Sequence, residues 1–249
     1  MINKEFILVV PCYNEEFRFN VEYFEQLLKA EDLALLLVDD GSTDRTGEVL
    51  RAFVERNPYV SEALFLSRNI GKANAVRTGM LRASELKSTY VGYLDADGAF
   101  PIEVVLKSLE QVRESSVSKT SYWFSRVKLA GSDIERNWKR HYIGRVIITL
   151  ATTGLTNCPY DTQAGFKIFR TNSITREIWE KTFKTQWLFD IELFFRLSER
   201  DQAQNLVEIP INAWRDVKGS KINLTSSFRI LLDLILIRRM RKRFQIRIG

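Results

Sequence analysis

Two aspartates one residue apart, Asp95 and Asp97, follow the apolar run 90–94. The run predicts a buried strand, and residues i and i+2 of an extended chain point to the same side. Both carboxylates could therefore meet one point just beyond the strand end. Proteins hold Mg²⁺ or Mn²⁺ with one or two carboxylates plus substrate phosphates, and open α/β sheets bind ligands at that edge. The pair predicts a divalent-cation site, although two acidic residues are also common in an ordinary polar turn.

Further polar residues follow the two apolar runs that come first in the chain. Tyr13 could contact a nucleobase, and Asp39 or Asp40 could accept a hydrogen bond from a uracil N–H or a ribose hydroxyl. Ser42 and its neighbour Thr43 would equally suit the N-cap of the next helix. These residues predict a nucleotide site on the same edge of the sheet.

Lys72 opens a predicted helix directly after the third strand. Helix N-termini favour anions, so this lysine is a candidate partner for phosphate groups, with a plain surface lysine as the alternative. The glycine and lysine spacing of a Walker phosphate loop is absent from the sequence.

The elements that would position these residues alternate along the first half of the chain. Strands are predicted at 6–10, 33–38, 63–66 and 90–94, and helices at 20–30, 43–57 and 71–86. This order predicts an α/β fold with a mostly parallel central sheet flanked by helices. The second half predicts helices at 102–114, 136–153 and 190–200, and strands at 122–125, 164–169 and 204–211.

Composition excludes several classes of protein. The chain has 249 residues, 45% hydrophobic and 27% charged, which suits one large α/β domain. Its two cysteines, Cys12 and Cys158, cannot form a disulfide framework or a structural zinc cluster, which favours a reducing cytoplasmic setting. No run approaches the roughly 20 apolar residues of a membrane span, so we expect neither translocation nor integral insertion.

The formal net charge of +6 resides in the C-terminal tail. No acidic residue follows Asp233, whereas six basic residues do, namely Arg238, Arg239, Arg241, Lys242, Arg243 and Arg247. An apolar segment, 228–237, precedes them, and this combination predicts an interfacial helix on an anionic membrane surface. The alternative is a terminal helix that packs on the domain with a solvated basic end. A nucleic-acid site is not expected, because Phe244 is the only aromatic residue among these charges.

Four segments, at 10–15, 38–44, 69–72 and 95–99, resemble in order the motifs of GT-A glycosyltransferases of the large inverting family 2. Three more, at 161–169, 187–193 and 214–221, resemble the dolichyl-phosphate β-glucosyltransferase branch of that family and its bacterial polyprenyl-phosphate relatives. Ala164 stands where that branch has a cysteine, which we expect to be a mild change. Members of the branch carry membrane spans, so membrane association here would come from the tail and from the basic amphipathic stretch 134–150.

The resemblance implies a metal-dependent, inverting transfer of a hexose, expected to be glucose from UDP-glucose, to a polyprenyl or dolichyl phosphate. Residues 1–221 would form the catalytic domain, with a nucleotide-sugar half at 1–100 and an acceptor half at 101–221, and 222–249 the tail. The enzyme would sit on the cytoplasmic face of a membrane, with an integral membrane partner as an option. Alternatives are transfer to a saccharide hydroxyl in surface-polysaccharide synthesis, and a non-catalytic nucleotide-sugar-binding subunit of a membrane complex.

The resemblance also implies roles for individual residues. Asp95 and Asp97 would hold Mg²⁺ or Mn²⁺, and with them Gln163, Asp190 and Glu192 would form the catalytic set. The last two also suit a helix start, where acidic residues are favoured by the dipole. The nucleotide-sugar residues would be Pro11, Tyr13, Glu15, Asp39, Asp40, Ser42, Asn69, Lys72, Asp95, Ala96, Asp97, Trp214, Arg215 and Lys221. The acceptor phosphate would be bound by Ser125, Arg126, Arg136 and Arg140, the last two with a solvated helix face as the alternative.

Overall fold

The fold is taken from a computed structural model, which describes residues 2–135, 138–217 and 224–248. Its strands are β1 Phe6–Cys12, β2 Leu33–Asp39, β3 Ser61–Phe65, β4 Tyr90–Leu94, β5 Ser121–Ser125, β6 Asp133–Glu135, β7 Phe166–Arg170, β8 Leu206–Pro210 and β9 Ala213–Arg215. Its helices are α1 Val21–Leu27, α2 Thr46–Arg56, α3 Lys72–Glu85, α4 Ile102–Glu114, α5 Trp138–Thr152, α6 Ser173–Glu180, α7 Phe189–Ser198 and α8 Leu224–Ile248.

One seven-stranded sheet has the order β3-β2-β1-β4-β7-β5-β8, and β6 pairs with β9 in a separate two-stranded sheet. Strand β7 runs antiparallel to both of its neighbours, while the other pairs of the large sheet are parallel. The predicted α/β fold with a mostly parallel central sheet is therefore confirmed. Three short elements, α6, β6 and β9, were not predicted, because runs of three to eight residues give little periodicity.

Helices cover both faces of the large sheet, which gives three layers. Along β1 the side chains alternate, so that Leu8 packs in one core cluster and Ile7 in the other. Helices α1, α2 and α4 belong to the first cluster, and α3, α6 and α7 to the second. A Cβ on Gly79 would lie 2.3 Å from Val9 Cγ1, so α3 packs directly on β1. That contact fixes Lys72, the first residue of α3, relative to the sheet.

The C-terminal helix α8 packs on the domain through a third, smaller cluster. Ile237 of α8 is fully buried there against Ile148 and Ala151 of α5 and Ile191 of α7. The predicted tail therefore forms a helix, and one of its faces packs on the domain. Within the described part of the chain, we find no helix whose length and hydropathy would let it cross a membrane.

Candidate active site

The strands that carry the predicted site residues end side by side. Cys12 at the end of β1 pairs in register with Asp39 at the end of β2, and β4 lies parallel on the other side of β1. The carboxyl ends of three parallel strands thus meet at one edge of the sheet, as predicted, and this is where such sheets bind ligands.

Asp95 lies one residue beyond β4 and is held from two sides. Its amide donates to the Gly165 carbonyl at 2.9 Å, and its Oδ1 lies 2.5 Å from Lys72 Nζ. A Cβ on Gly165 would come within 2.0 to 2.5 Å of the Asp95 carboxylate, so a larger residue there would displace the carboxylate or the strand. The sequence 164–166 therefore shapes the position of the first predicted metal ligand.

Asp97 is the second predicted ligand and lies in the turn after β4. Its Oδ1 accepts a hydrogen bond from the Ala99 amide at 3.1 Å. Burial raises the pKa of the Asp97 carboxyl, and the negative charge of Asp95 raises it further. A cation between the two carboxylates would relieve this repulsion, so the pair fits a divalent metal ion. Among the described residues, no group of three or more His, Cys, Asp or Glu side chains could hold a metal.

Asp39 and Asp40 divide their roles at the end of β2. Both oxygens of Asp40 accept backbone hydrogen bonds, from Ile70 at 2.8 Å and Gly71 at 2.9 Å, so Asp40 shapes the turn that leads to Lys72. Burial raises the pKa of Asp40, and these two hydrogen bonds oppose the rise. Asp39 accepts a hydrogen bond from the Ser42 amide through Oδ1, at 2.9 Å. Of the two aspartates, Asp39 has the contacts that suit a ligand-binding residue.

The loops after β1 and β2 are joined by hydrogen bonds. The Asn14 amide donates to Ser42 Oγ at 3.0 Å, and the Glu15 amide donates to Thr46 Oγ1 at 2.7 Å. Thr43 donates its amide to Asn14 Oδ1, so neither Ser42 nor Thr43 caps a helix, and α2 begins only at Thr46. The alternative of a helix cap at these residues is wrong, because the opposite loop binds both of them. The two loops form one rigid rim on which Tyr13 is 36% exposed.

Asp190 is the centre of a buried polar group on the acceptor half. It is the second residue of α7 and is 5% exposed. Its Oδ1 lies 2.7 Å from Lys167 Nζ and accepts a hydrogen bond from the Tyr93 hydroxyl. Burial lowers the pKa of Lys167 and raises that of Tyr93, while Asp190 counteracts the first effect and adds to the second. Sequence reasoning missed Lys167 and Tyr93, although both lie in apolar runs where a polar side chain is itself a signal.

Glu192, unlike Asp190, binds the backbone of the segment that precedes α7. Its Oε2 accepts from the amides of Lys184 and Thr185 and from the Thr185 hydroxyl, each at 2.9 Å. Its Oε1 accepts from Arg196 at 2.8 Å. A carboxylate with four partners inside the protein holds the segment before α7, which differs from the catalytic role that the resemblance implied.

Arg126, the residue predicted to bind the acceptor phosphate, follows β5, and two hydrogen bonds hold its guanidinium group. Its Nε and Nη2 atoms donate to the two oxygens of Asp161, both at 2.8 Å. Its guanidinium carbon lies 5.1 Å from the centre of the Trp214 ring. Asp161 is held in turn by Glu208, whose Oε1 accepts from the Asp161 amide at 2.9 Å. Asp161 and Glu208 were not predicted as site residues, and only the motif around Asp161 could have indicated the first.

The other predicted residues have the following positions. Gln163 is half-buried, and its amide donates to Thr162 Oγ1 at 3.4 Å. Ser125 is buried at the end of β5. Arg215 is exposed and pairs with Asp133 at 3.5 Å. Pro11, Glu15 and Ala96 lie at the strand ends and Asn69 is exposed in the turn before Lys72, whereas Arg136 and Lys221 fall outside the described residues, as does the side chain of Arg140.

The two halves of the site share one electrostatic environment. The carboxylates of Asp95 and Asp190 both favour the charged forms of Lys72 and Arg126. Residues that follow β4 and β5 and residues of α3 and α7 thus lie close enough for their charges to interact. The site combines a carboxylate pair with two fixed cations, an arrangement suited to a substrate with more than one phosphate.

Known proteins are similar to this chain in sequence and in fold. A family model described as Glycosyl transferase family 2 matches residues 7–178. A dolichyl-phosphate beta-glucosyltransferase of Homo sapiens is 31% identical over 94% of this chain and 75% of that protein. A protein of the same description from Dictyostelium discoideum is 27% identical over 93% of this chain and 73% of its own length.

A solved structure has the same architecture. Glucosyl-3-phosphoglycerate synthase from Mycobacterium tuberculosis, crystallised with Mn²⁺, UDP and phosphoglyceric acid, matches with a TM-score of 0.67. The alignment covers 94% of this chain and 78% of that chain at 15% identity. This likeness confirms the GT-A fold that the motifs predicted.

Proposed function

The chain belongs to glycosyl transferase family 2, and we propose that it transfers glucose from UDP-glucose to a dolichyl or related polyprenyl phosphate with inversion at the anomeric carbon. One observation carries the proposal: the carboxylate pair Asp95 and Asp97 shares a site with two fixed cations, Lys72 and Arg126. Such a site suits a reaction in which a diphosphate leaves and a phosphate attacks.

The donor would lie along the rim formed by the ends of β1 and β2. Asp39 would accept a hydrogen bond from the base or the ribose, and the ring of Tyr13 would lie against the nucleoside. Lys72 stands at the start of α3, where the helix dipole also favours the diphosphate. Because Lys72 Nζ reaches Asp95, it also reaches a diphosphate bound beside that carboxylate.

Asp95 and Asp97 would hold Mg²⁺ or Mn²⁺. The bound ion supplies positive charge that stabilises the leaving diphosphate. The chain keeps the two carboxylates in place through the Gly165 carbonyl and the Ala99 amide. With two protein carboxylates, the remaining ligands would come from the donor phosphates and water.

The acceptor phosphate needs little general-base assistance. The second pKa of a phosphomonoester is about 6, so its oxygen is already ionised at neutral pH. Positioning is therefore the main requirement, and the Arg126 guanidinium would supply a fixed positive charge for the phosphate. Asp161 binds its Nε and Nη2 atoms and so holds it in one orientation before the acceptor arrives.

Asp190 would bind a hydroxyl of the transferred sugar. Its Oδ1 is used by Tyr93 and Lys167, which leaves Oδ2 for the ligand. Lys167 is fully buried and lies 2.7 Å from Asp190 Oδ1, so the carboxylate is held in one position. This assignment moves Asp190 away from proton transfer and towards the orientation of the sugar.

The packed helices α5 and α8 would place the site at the cytoplasmic face of a membrane. On α5 the residues Tyr142, Val146 and Leu150 recur every four residues and are 46% to 65% exposed. On α8 the exposed apolar residues are Leu231, Leu232 and Ile235, and basic residues follow them. Apolar side chains beside a basic segment suit the interface of an anionic bilayer.

The function is tested by supplying radiolabelled UDP-glucose, Mn²⁺ and dolichyl phosphate to the purified protein. We expect label in the organic phase only when dolichyl phosphate is present. Label in a water-soluble saccharide would support the transfer to a hydroxyl instead, and no turnover with any donor would support a binding subunit.

The membrane face is tested separately with vesicles of phosphatidylglycerol and phosphatidylcholine. We expect Ile235→Asp to reduce sedimentation with these vesicles without changing UDP binding. Val117→Asp is the matched control, because Val117 is 76% exposed in the loop after α4. Equal sedimentation of the two variants would show that α8 does not contact the membrane.

A further inference from the structure

Asp233 of α8 bonds to the segment that leads into α7. Its carboxylate accepts backbone hydrogen bonds from Gln186 at 3.0 Å, Trp187 at 2.7 Å and Leu188 at 3.0 Å, and it is 4% exposed. These three amides belong to the residues directly before α7, which begins at Phe189. Buried backbone amides outside regular structure need an acceptor, and here it comes from a residue 45 positions later in the chain than Leu188.

A second carboxylate continues this arrangement. Glu192 binds the amides of Lys184 and Thr185, so the five successive amides from 184 to 188 all donate to two acidic side chains. One of these acids belongs to α7 itself and the other to α8. The path of the segment is thus set jointly by the two helices.

The segment ends two residues before Asp190, the residue that meets Tyr93 and Lys167. The side chain of Gln186 also approaches the turn before Lys72, since a Cβ on Gly71 would lie 3.9 Å from Gln186 Cδ. A shift at 186–188 would therefore move Asp190 relative to Tyr93 and Lys167.

We propose that Asp233 is a positioning residue for the reaction: α8 holds the start of α7 through this carboxylate, and so fixes Asp190 against the donor. The proposal rests on the proposed function, and it makes the tail helix part of the catalytic geometry as well as a membrane contact. The same helix exposes Leu231, Leu232 and Ile235 beside Asp233. The orientation of α8 at a membrane would thereby be coupled to the site.

Kinetics of the full chain test this proposal with three variants. Asp233→Ala removes the acceptor of the three hydrogen bonds from 186–188, and Asp233→Asn keeps one acceptor oxygen. Ile237→Ala is the matched control, because it removes a fully buried contact of the same helix while leaving the Asp233 carboxylate in place. We expect Asp233→Ala to lower kcat at least tenfold with KM for UDP-glucose changed less than twofold, Asp233→Asn to lie between, and Ile237→Ala to lower Tm while keeping kcat.

A kcat of Asp233→Ala within twofold of wild type would overturn the proposal, and so would an equal loss of kcat in Ile237→Ala. Amide hydrogen exchange separates this failure from failure of the proposed function. If the wild type transfers no glucose, the function is refuted, while faster exchange at 186–188 in Asp233→Ala still supports the hold on α7. Unchanged exchange there would refute that hold whatever the activity.

Discussion

Replacement of Gly165 by alanine tests the metal-binding carboxylate without changing any charged group. The added Cβ would lie 2.0 Å from Asp95 Oδ2 and 2.1 Å from its Cγ, whereas real Cβ atoms essentially never approach closer than 3.0 Å. The carboxylate must therefore retreat by about 1 Å, or β7 must shift relative to β4. A misplacement of about 1 Å near the reacting atoms costs roughly 100-fold in rate. We expect kcat of Gly165→Ala to fall by about that factor.

The assay measures label transfer from UDP-glucose to dolichyl phosphate at increasing Mn²⁺ concentrations. The variant should also need more Mn²⁺ for half-maximal rate, while its binding of UDP without metal stays unchanged. Gly144→Ala is the matched control, because a Cβ there meets no atom within 4 Å. A Gly165→Ala enzyme with at least half the wild-type kcat and the wild-type Mn²⁺ dependence would refute the reasoning about Asp95.

Three further predictions concern single side chains. Arg126→Lys loses the fork on Asp161, so we expect KM for dolichyl phosphate to rise about tenfold with KM for UDP-glucose unchanged; an increase in the donor KM would place Arg126 on the donor side. Tyr93→Phe removes one hydrogen bond to the Asp190 carboxylate, and such a bond contributes about 1.5 to 3 kcal/mol. We therefore expect kcat to fall at least tenfold, and a wild-type kcat would show that this bond does not orient Asp190. Burial raises the pKa of Cys158 to about 12, so little of its thiol is ionised at pH 8. An aromatic disulfide reagent should therefore react far faster with Cys158 in urea than in the folded protein, and equal rates would contradict this pKa shift.

The sequence was sufficient to predict where the parallel part of the sheet lies. Strands such as β2 are continuous apolar runs that end abruptly in polar residues, so the strand and the site edge are visible together. Asp95, Asp97 and Lys72 were predicted for the same reason, since the two aspartates come shortly after a strand and Lys72 opens a helix.

Residues whose roles depend on tertiary contacts were beyond sequence reasoning. Asp40 and Asp39 are adjacent and chemically identical, and only the backbone amides of Ile70 and Gly71 distinguish them. Asp190 and Glu192 form a similar pair, of which the first meets Lys167 and the second holds a turn. Local spacing cannot reveal which backbone groups a carboxylate will satisfy.

The tail illustrates the same limit. Its charge and apolar content predicted an interfacial helix or a packed one, and the structure shows a helix whose opposite sides differ. Asp233 and Ile237 are buried, while Leu231 and Ile235 are exposed. The single acidic residue within the apolar stretch was the signal, because a carboxylate there needs partners from another element.

The anomeric configuration of the lipid product tests the central claim most directly. UDP-glucose carries an α linkage, so inversion by an ionised acceptor phosphate predicts a β-glucosyl phosphate ester of dolichol, identified by proton and phosphorus NMR of the extracted lipid. An α-linked product, or glucose attached to a hydroxyl instead of the phosphate, would contradict the account.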